Sequence, residues 1–584
     1  MRDFLQIRMI RPLLSAASLL FLAGICFSRS REQGPPVSPP VQGPSIKAES
    51  RIVVVDVVVT DKQGQSVPGL RKEDFHVSED GEPQILTSFE EQKGAAINEM
   101  KLPPMPPNVF TNFPTTRGAD SVNVLLLDLL NAQPQNQAFV RQQVIKYLGE
   151  VPAGTRLAVF ALGSHLRIVR GFTTDFAGLS GALEDKKLGV APEISRNLPT
   201  EANQYSDAEI LRQMRRSQAA PTAIDAVESF QRDEAAERVN SRIEVTLQAF
   251  QQIARYLSRI PARKNLIWFS DNFPVSFFQD TRVRLPKNQE HVQKTSDMLT
   301  AAQVAIYPVS ALGVLGDPTF DASKLAGSRR ELEARLSANQ IAMEAIAHET
   351  GGRAFYSTNA LSDAVKDAVS NGSHYYTLAY SPANDKNDGK FRRIQVSLVD
   401  NNYTLSYRRG YFADQPSHEF TSQEGADDPF VPLIGLDMPD FDQILFKLQV
   451  VPKSPQPPAN APRAGNNTKL KAPFTRYDVN FAVALPDIAM GLDANGTRHG
   501  RIEIMIIAFG PGGNILNIVR KRSNLTMDSK VYEATQQVGM QIHEEIDAPP
   551  GEIYLRAGIY DMNSGNCGTV GAALNGSSAK LSKK

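Results

Sequence analysis

Asn123-Val-Leu-Leu-Leu-Asp128 and Lys264-Asn-Leu-Ile-Trp-Phe-Ser-Asp271 decide the fold. Each is an unbroken apolar run that stops at an acidic residue. Runs of this length bounded by polar residues read as strands buried on both faces, the pattern of a parallel sheet covered by helices. In such sheets the ligand site lies outside the carboxyl ends of the strands, which places Asp128 and Asp271 there.

The intervals supply helices and further strands. Phe139, Val144, Tyr147 and Leu148 stand at helical spacing, and Arg156-Leu-Ala-Val-Phe-Ala161 reads as a strand. Ile243, Leu247, Phe250, Ile253 and Leu257 mark a long amphipathic helix before the Lys264 run. Val304-Ala-Ile-Tyr-Pro-Val309 is the next strand, a helix around Ile341 to His348 ends at Gly351-Gly352, and Arg353-Ala-Phe-Tyr356 reads as a short strand. Leu361, Val365 and Val369 line one face of a further helix. Strand and helix alternate, so a doubly wound, Rossmann-like α/β domain is expected over residues 120–373.

Four stretches resemble a von Willebrand factor type A domain: Val124–Asp128, Arg263-Lys-Asn-Leu-Ile-Trp-Phe-Ser-Asp-Asn-Phe-Pro274, Gly351-Gly-Arg-Ala-Phe355 and Tyr375-Tyr-Thr-Leu-Ala-Tyr-Ser-Pro382. In this order, over residues 50 to 412, they are similar to the VWFA-related family described from acidobacteria. The resemblance implies a secreted or envelope-associated protein with a binding domain and no established enzyme activity. A von Willebrand A-like domain combined with β-sandwich domains is the expected fold class.

With 584 residues the chain exceeds one core. Lys plus Arg equal Asp plus Glu at 63 each, which gives no electrostatic footprint for nucleic acid. Residues 1–30 read as a signal peptide: Arg2, Arg8 and Arg11 precede an apolar run from Leu13 to Phe27, short for a membrane span. Cleavage after Ser28 or Ser30 is expected; the alternative is an uncleaved anchor that keeps the protein near a membrane. Leu22-Ala-Gly-Ile-Cys26 departs from a lipobox because Ile25 is not small. Loss of Cys26 with the signal leaves Cys567 alone, without an internal disulfide partner. The expected location is periplasmic, envelope-associated or extracellular.

Residues 31–49 are a Pro-rich linker of polyproline character. Arg51-Ile-Val-Val-Val-Asp-Val-Val-Val-Thr60, Phe75 to Pro83 with its Asp80-Gly81 turn, and Gln84 to Phe89 are strand-forming, yet about 40 residues cannot stand alone. Strands at Tyr375–Tyr380, Arg392–Leu398 and Tyr403–Tyr407 are the nearest supply, so 50–92 and 374–412 are expected to form one discontinuous β-sandwich around the inserted α/β domain. The polar segment from Lys187 to Glu237, with Leu211-Arg-Gln-Met-Arg-Arg216, reads as a solvated excursion, and another runs from Gly313 to Arg335. Phe441 to Val451 and the alternating runs at Ile502–Ala508 and Ile553–Ile559 indicate a second sandwich over 417–572, followed by a disordered tail, 573–584.

A metal-binding domain of the resembled type carries Asp-x-Ser-x-Ser after its first strand, a Thr on a second loop and an Asp on a third. Here the first motif is Asp128-Leu129-Leu130-Asn131-Ala132, and both serines are missing. Asn131 offers an amide oxygen and Asp271 matches the third loop, so Asp128, Asn131 and Asp271 are the candidate ligands for Mg²⁺. Thr246 falls inside a helix and Thr173 and Thr174 lie elsewhere, which leaves the threonine unassigned. No cofactor is expected, since a site without both hydroxyls holds Mg²⁺ weakly. The competing reading is that the two aspartates cap helices or bind loop amides.

The sequence lacks Gly-x-Ser-x-Gly, His-Glu-x-x-His, a phosphate loop and Cys-x-x-Cys. Trp268, inside an apolar run, reads as core. The function expected is non-enzymatic binding or adhesion to a protein or surface polymer through a degenerate metal-ion-dependent adhesion site. The alternatives are a structural or assembly component of the cell envelope and a hydrolase.

Overall fold

In the computed structural model the runs that end at Asp128 and Ser270 lie side by side as parallel strands, in register from Ser121↔Arg263 to Leu127↔Phe269. The structure describes residues 51–93, 105–114, 121–184, 211–270, 289–310, 326–356, 361–413 and 428–574, apart from 133, 153–154, 219, 261, 387 and 401. The signal, the linker, the C-terminal tail from 575 and Asp271 lie outside the described residues.

In chain order come β1 (Val53–Thr60), β2 (Phe75–Glu79), β3 (Glu82–Gln84), β4 (Leu86–Gln92) and β5 (Val109–Thr111). Then follow β6 (Ser121–Asp128), α1 (Pro134–Leu148), β7 (Leu157–Leu162), β8 (Leu166–Thr173), α2 (Phe176–Glu184), α3 (Pro221–Leu257), β9 (Arg263–Ser270), α4 (Gln289–Ala301), β10 (Val304–Ser310), α5 (Ala326–Thr350) and α6 (Leu361–Ser373). After them run β11 (Tyr375–Tyr380), β12 (Phe391–Leu398), β13 (Thr404–Ser406), β14 (Gly410–Phe412), β15 (Phe446–Pro452) and β16 (Thr475–Val483). Last are β17 (Gly491–Leu492), β18 (Arg498–Phe509), β19 (Ile515–Met527), α7 (Ser529–Val538), β20 (Met540–Ala548), β21 (Ile553–Asp561) and β22 (Cys567–Leu574).

The central sheet has the order β10-β9-β6-β7-β8. Leu126, Phe160, Leu266 and Trp268 face the stripe Ile243, Phe250 and Leu257 of α3 together with Leu299 and Ile346 of α4 and α5. Leu125, Leu127, Ile267 and Phe269 face α1, α2 and α6 through residues such as Val144, Leu183 and Val365. Helices on both faces explain why the strands show no apolar/polar alternation.

Two readings of this region are corrected. The sheet is not wholly parallel: β8 closes its edge antiparallel to β7, and its residues after Leu166 are half-exposed, which hid it from an apolar-run criterion. Arg353–Tyr356 forms no strand; Phe355 alone bridges Val309, because two backbone bonds, Ser310 N to Phe355 O and Phe355 N to Pro308 O, are all that form there. In the Lys187–Glu237 segment, residues 211–216 are helical and α3 begins at Pro221, with 185–210 outside the described residues.

Segments 50–92 and 374–412 meet although the α/β region separates them in sequence. β1 pairs with β11 and β13, β4 with β11, and β2 with β12, all antiparallel. Val55, Val57, Tyr376, Leu378, Val77 and Ile394 from these two sheets share one core.

In the C-terminal region β20-β16-β15-β5 forms one sheet, and β17-β18-β21-β22, with β19 on β18, another. Phe446, Phe481, Ile504 and Leu555 are among the side chains buried between them. The expected 417–572 boundary is corrected here: Val109–Thr111, far upstream, pairs with β15, and the strand expected from Phe441 starts at Phe446. Asn112 secures the join, donating to the carbonyls of Phe441 and Ile444 and accepting from Phe446 N. The end of α3 also docks on this region, where Arg259 ion-pairs with Asp487 and donates to Gln443 O. Among the described residues no helix is long and apolar enough to cross a membrane.

Candidate functional site

The carboxyl end of β6 is where a strand-end site would lie, and its chain direction is set by two carbonyl bonds. Leu129 N and Leu130 N both donate to Leu162 O at 2.8 and 3.0 Å, folding the chain over the end of β7. Gln137 of α1 reaches back to the carbonyls of Leu129 and Ala132 at 3.1 and 2.9 Å. The turn is thereby fixed from both sides.

Asp128 sits inside this turn with 2% of its surface exposed. Its Oδ1 accepts from Leu130 N at 3.1 Å and Asn131 N at 2.9 Å, and its Oδ2 from Asn131 Nδ2 at 2.9 Å and Trp268 Nε1 at 3.0 Å. The Ser270 hydroxyl adds a further bond. Burial pushes the carboxyl pKa upward, while the donors from Asn131, Ser270 and Trp268 pull it back, and burial is the larger effect. An ionised carboxylate has room for about four such bonds, so its acceptor capacity is filled by protein.

The positions where the resembled motif carries serine hold Leu130 and Ala132, both buried, with Leu130 in the core against α3 and Trp268. A hydroxyl ligand is absent at each. Asn131 takes part through its nitrogen: Nδ2 bridges Asp128 Oδ2 and, at 3.2 Å, Thr246 Oγ1. Its Oδ1 is buried without a partner. Thr246 in turn donates to Arg242 O at 2.7 Å, which leaves its oxygen as the acceptor for Asn131. Beside the carboxylate a small cavity is lined by Leu127, Ala132, Gln137, Val140, Arg141 and Phe269.

The structure therefore brings together Asp128, Asn131, Thr246, Trp268 and Ser270, while Asp271 falls outside the described residues. Two of these carry a signal in the sequence beyond the strand-end motif. Thr246 lies three residues after Ile243 and one before Leu247, so the stripe that faces the sheet carries it to the strand ends. Trp268 is fully buried core, and its indole N–H is also a donor that must find an acceptor when buried.

Among known proteins, no family model and no curated sequence matches this chain. Solved structures similar to it include an aerotolerance-related membrane protein from Bacteroides fragilis, at 11% identity and TM-score 0.23 over 43% of this chain and 98% of that one. BatB from Bacteroides thetaiotaomicron is similar at 12% identity and TM-score 0.21, over 43% and 97% of the two chains. A von Willebrand factor type A protein from Catenulispora acidiphila covers 58% of this chain and 74% of its own at 12% identity and TM-score 0.21.

Proposed function

We propose that residues 120–373 are a von Willebrand A-like domain whose metal position is closed by hydrogen bonds, and that the chain is an exported, non-enzymatic binding protein. The turn after β6 around Asp128 offers a metal-free face to a protein or surface polymer. The two flanking β regions, 50–92 with 374–412 and 417–572 with its added β5, act as sandwich modules that carry this face. The observation that supports the reading is the Asp128 carboxylate, filled by donors from Leu130, Asn131 and Trp268 at the carboxyl end of a central parallel strand. Strand ends are where α/β sheets place ligands, and a carboxylate with no free lone pair has nothing to offer a cation.

Crosslinking of the full chain in native envelope fractions, with and without a chelator, tests the reading. Substoichiometric partner adducts that survive the chelator are expected. Adducts that require Mg²⁺ overturn the metal-free face, and a single complex of fixed stoichiometry turns the reading to an assembly component. Export adds its own measurement: N-terminal sequencing is expected to find a mature start near Arg29 or Arg31, and a soluble cytoplasmic chain that keeps Met1 contradicts it.

A further inference from the structure

The outward face of the sheet formed by β15, β16 and β20 carries a second polar cluster, remote in kind from the strand-end turn. The antiparallel ladder pairs Asp478 with Glu545 and Asn480 with His543. Residues two apart on a strand share a face, so all four side chains stand together outside the core. A His543 nitrogen and one carboxylate oxygen each from Asp478 and Glu545 lie within 4.8 Å of one another.

The bonding around them leaves one carboxylate oxygen without a close partner. Asp478 Oδ1 is shielded from water yet has no hydrogen-bond partner. Its polar neighbours, His543 Nε2 at 3.8 Å and Lys453 Nζ at 4.0 Å, are both beyond hydrogen-bond reach. His543 Nδ1 meets Asn480 Oδ1 at 2.8 Å. An amide oxygen only accepts, so the proton of the neutral ring sits on Nδ1 and Nε2 turns its lone pair toward the carboxylates. A lone pair facing a carboxylate oxygen that accepts no hydrogen bond is repulsive, and in the metal-free protein the Lys453 ammonium, 4.0 Å from that oxygen, is the nearby cation that offsets it.

We propose that Asp478, His543 and Glu545 form a binding site for a divalent transition-metal ion, with Zn²⁺ the best-fitting ion. One imidazole and two carboxylates are a zinc donor set, and ligand bonds of about 2.0–2.2 Å in a tetrahedron put ligand atoms about 3.4 Å apart, against 3.8 Å between His543 Nε2 and Asp478 Oδ1 here. Asn480 is the outer partner that orients the imidazole. His543 is more than half exposed, which gives the ion an entry path and leaves a fourth position to water.

The nearby cations fit this assignment. Arg476 is held on Asp547 by two bonds, Nε to Oδ1 at 2.6 Å and Nη2 to Oδ2 at 2.8 Å, and touches Glu545 Oε2 at 3.3 Å. It stays where it is. Lys453 ion-pairs with Glu545 and is 38% exposed, so its ammonium fills the place of the ion in the metal-free protein and swings into solvent when the ion enters. The ion then balances Asp478 and Glu545.

The test is a titration of the metal-stripped full chain with Zn²⁺ against a chromophoric chelator. One equivalent is expected to be lost in His543→Gln and weakened at least tenfold in Asp478→Asn, about tenfold in Asn480→Leu through the freed imidazole, and tightened in Lys453→Met. His499→Gln, at an exposed histidine paired with Asp493, serves as the control and leaves the isotherm unchanged. Wild-type protein that binds no Zn²⁺, or His543→Gln that binds it as wild type does, overturns the assignment. His543 is more than half exposed and Asp478 and Glu545 about a quarter, and circular dichroism checks that each variant folds. The site stands apart from the strand-end turn, so its failure leaves the metal-free reading of Asp128 untouched.

Discussion

Asp128 and Asp478 are both strand carboxylates, and their surroundings are opposite. Asp128 is almost fully buried and takes donors on both oxygens, three of them from its own turn. Asp478 lies on a sheet face with one shielded oxygen that no donor reaches. Burial alone does not call for a cation. A buried carboxylate is accommodated when N–H groups converge on it, and an ion becomes the natural partner where side-chain acceptors converge and leave an oxygen that no donor reaches. In this chain the strand end where the resembled domain would hold a metal is filled by protein donors, whereas a sheet face brings three ligand side chains together and leaves one carboxylate oxygen that no donor reaches.

The strongest way to break this contrast is to remove the filled carboxylate. Asp128→Ala takes the acceptor away from the buried Trp268 Nε1 and Asn131 N, and leaves Leu130 N only Leu162 O and Asn131 Nδ2 only Thr246 Oγ1. Stranding several donors at once is expected to cost about 3–5 kcal/mol, read as a drop in the denaturant midpoint. A cost under about 1 kcal/mol means that the network does not hold the turn.

Asp442 sharpens the comparison, because it is buried like Asp128 but its Oδ1 lacks a donor. Burial pushes its pKa up to about 6, Arg259 pulls it down and Asp487 adds to the rise. The folded value lies above the unfolded one of about 3.9, so the contribution of this group to stability is fully present below pH about 4 and is lost as pH rises through about 6. Asp442→Asn removes that loss. It is expected to be more stable than wild type by roughly 2–3 kcal/mol at pH 7.5 and to show little difference at pH 4. A difference that does not change with pH contradicts the account.

Thr246→Val tests the outer contact of the turn. It removes the acceptor at 3.2 Å from Asn131 Nδ2 while keeping the side-chain shape, and a loss of about 1 kcal/mol is expected in the same denaturation assay.

The comparison also separates what can be read in the chain from what cannot. Val124–Leu127 and Leu266–Phe269 announce buried parallel strands because a strand covered on both faces has no need of polar residues. Val109–Thr111 is unreadable: three residues carry no period, and the partner strand lies more than 300 residues downstream. At the site, Asp128 is conspicuous as the residue that ends an apolar run, and the missing serines are equally plain. The direction of the Asn131 amide is not, because only Thr246 and Asp128 together decide which end of it faces inward. Asp478 and His543 belong to strands whose register no local pattern specifies, and their meeting across the ladder is a tertiary fact.

The smallest expected effect concerns Mg²⁺ at the strand end. In the present arrangement Asn131 Nδ2 stands between Asp128 Oδ2 and Thr246 Oγ1. Turning that amide over would set three oxygens together, Oδ1 of Asn131 with those two, a group that a cation could bridge. Such a cation would gain three hard ligands but would cost the carboxylate the Asn131 Nδ2 bond, and Mg²⁺ gives up its water reluctantly. Leu130 and Ala132 supply no hydroxyl in compensation. The hydrogen-bonded form is therefore favoured, and the melting temperature is expected to change by less than about 1 °C between a chelator and millimolar Mg²⁺. A bound ion at a hundredfold excess over its Kd would stabilise the fold by about 2.7 kcal/mol, which raises the melting temperature by several degrees. A shift of that size, retained in His543→Gln and lost in Asn131→Leu variants that remain folded, would place a working cation in the turn and reverse the contrast between the two carboxylates.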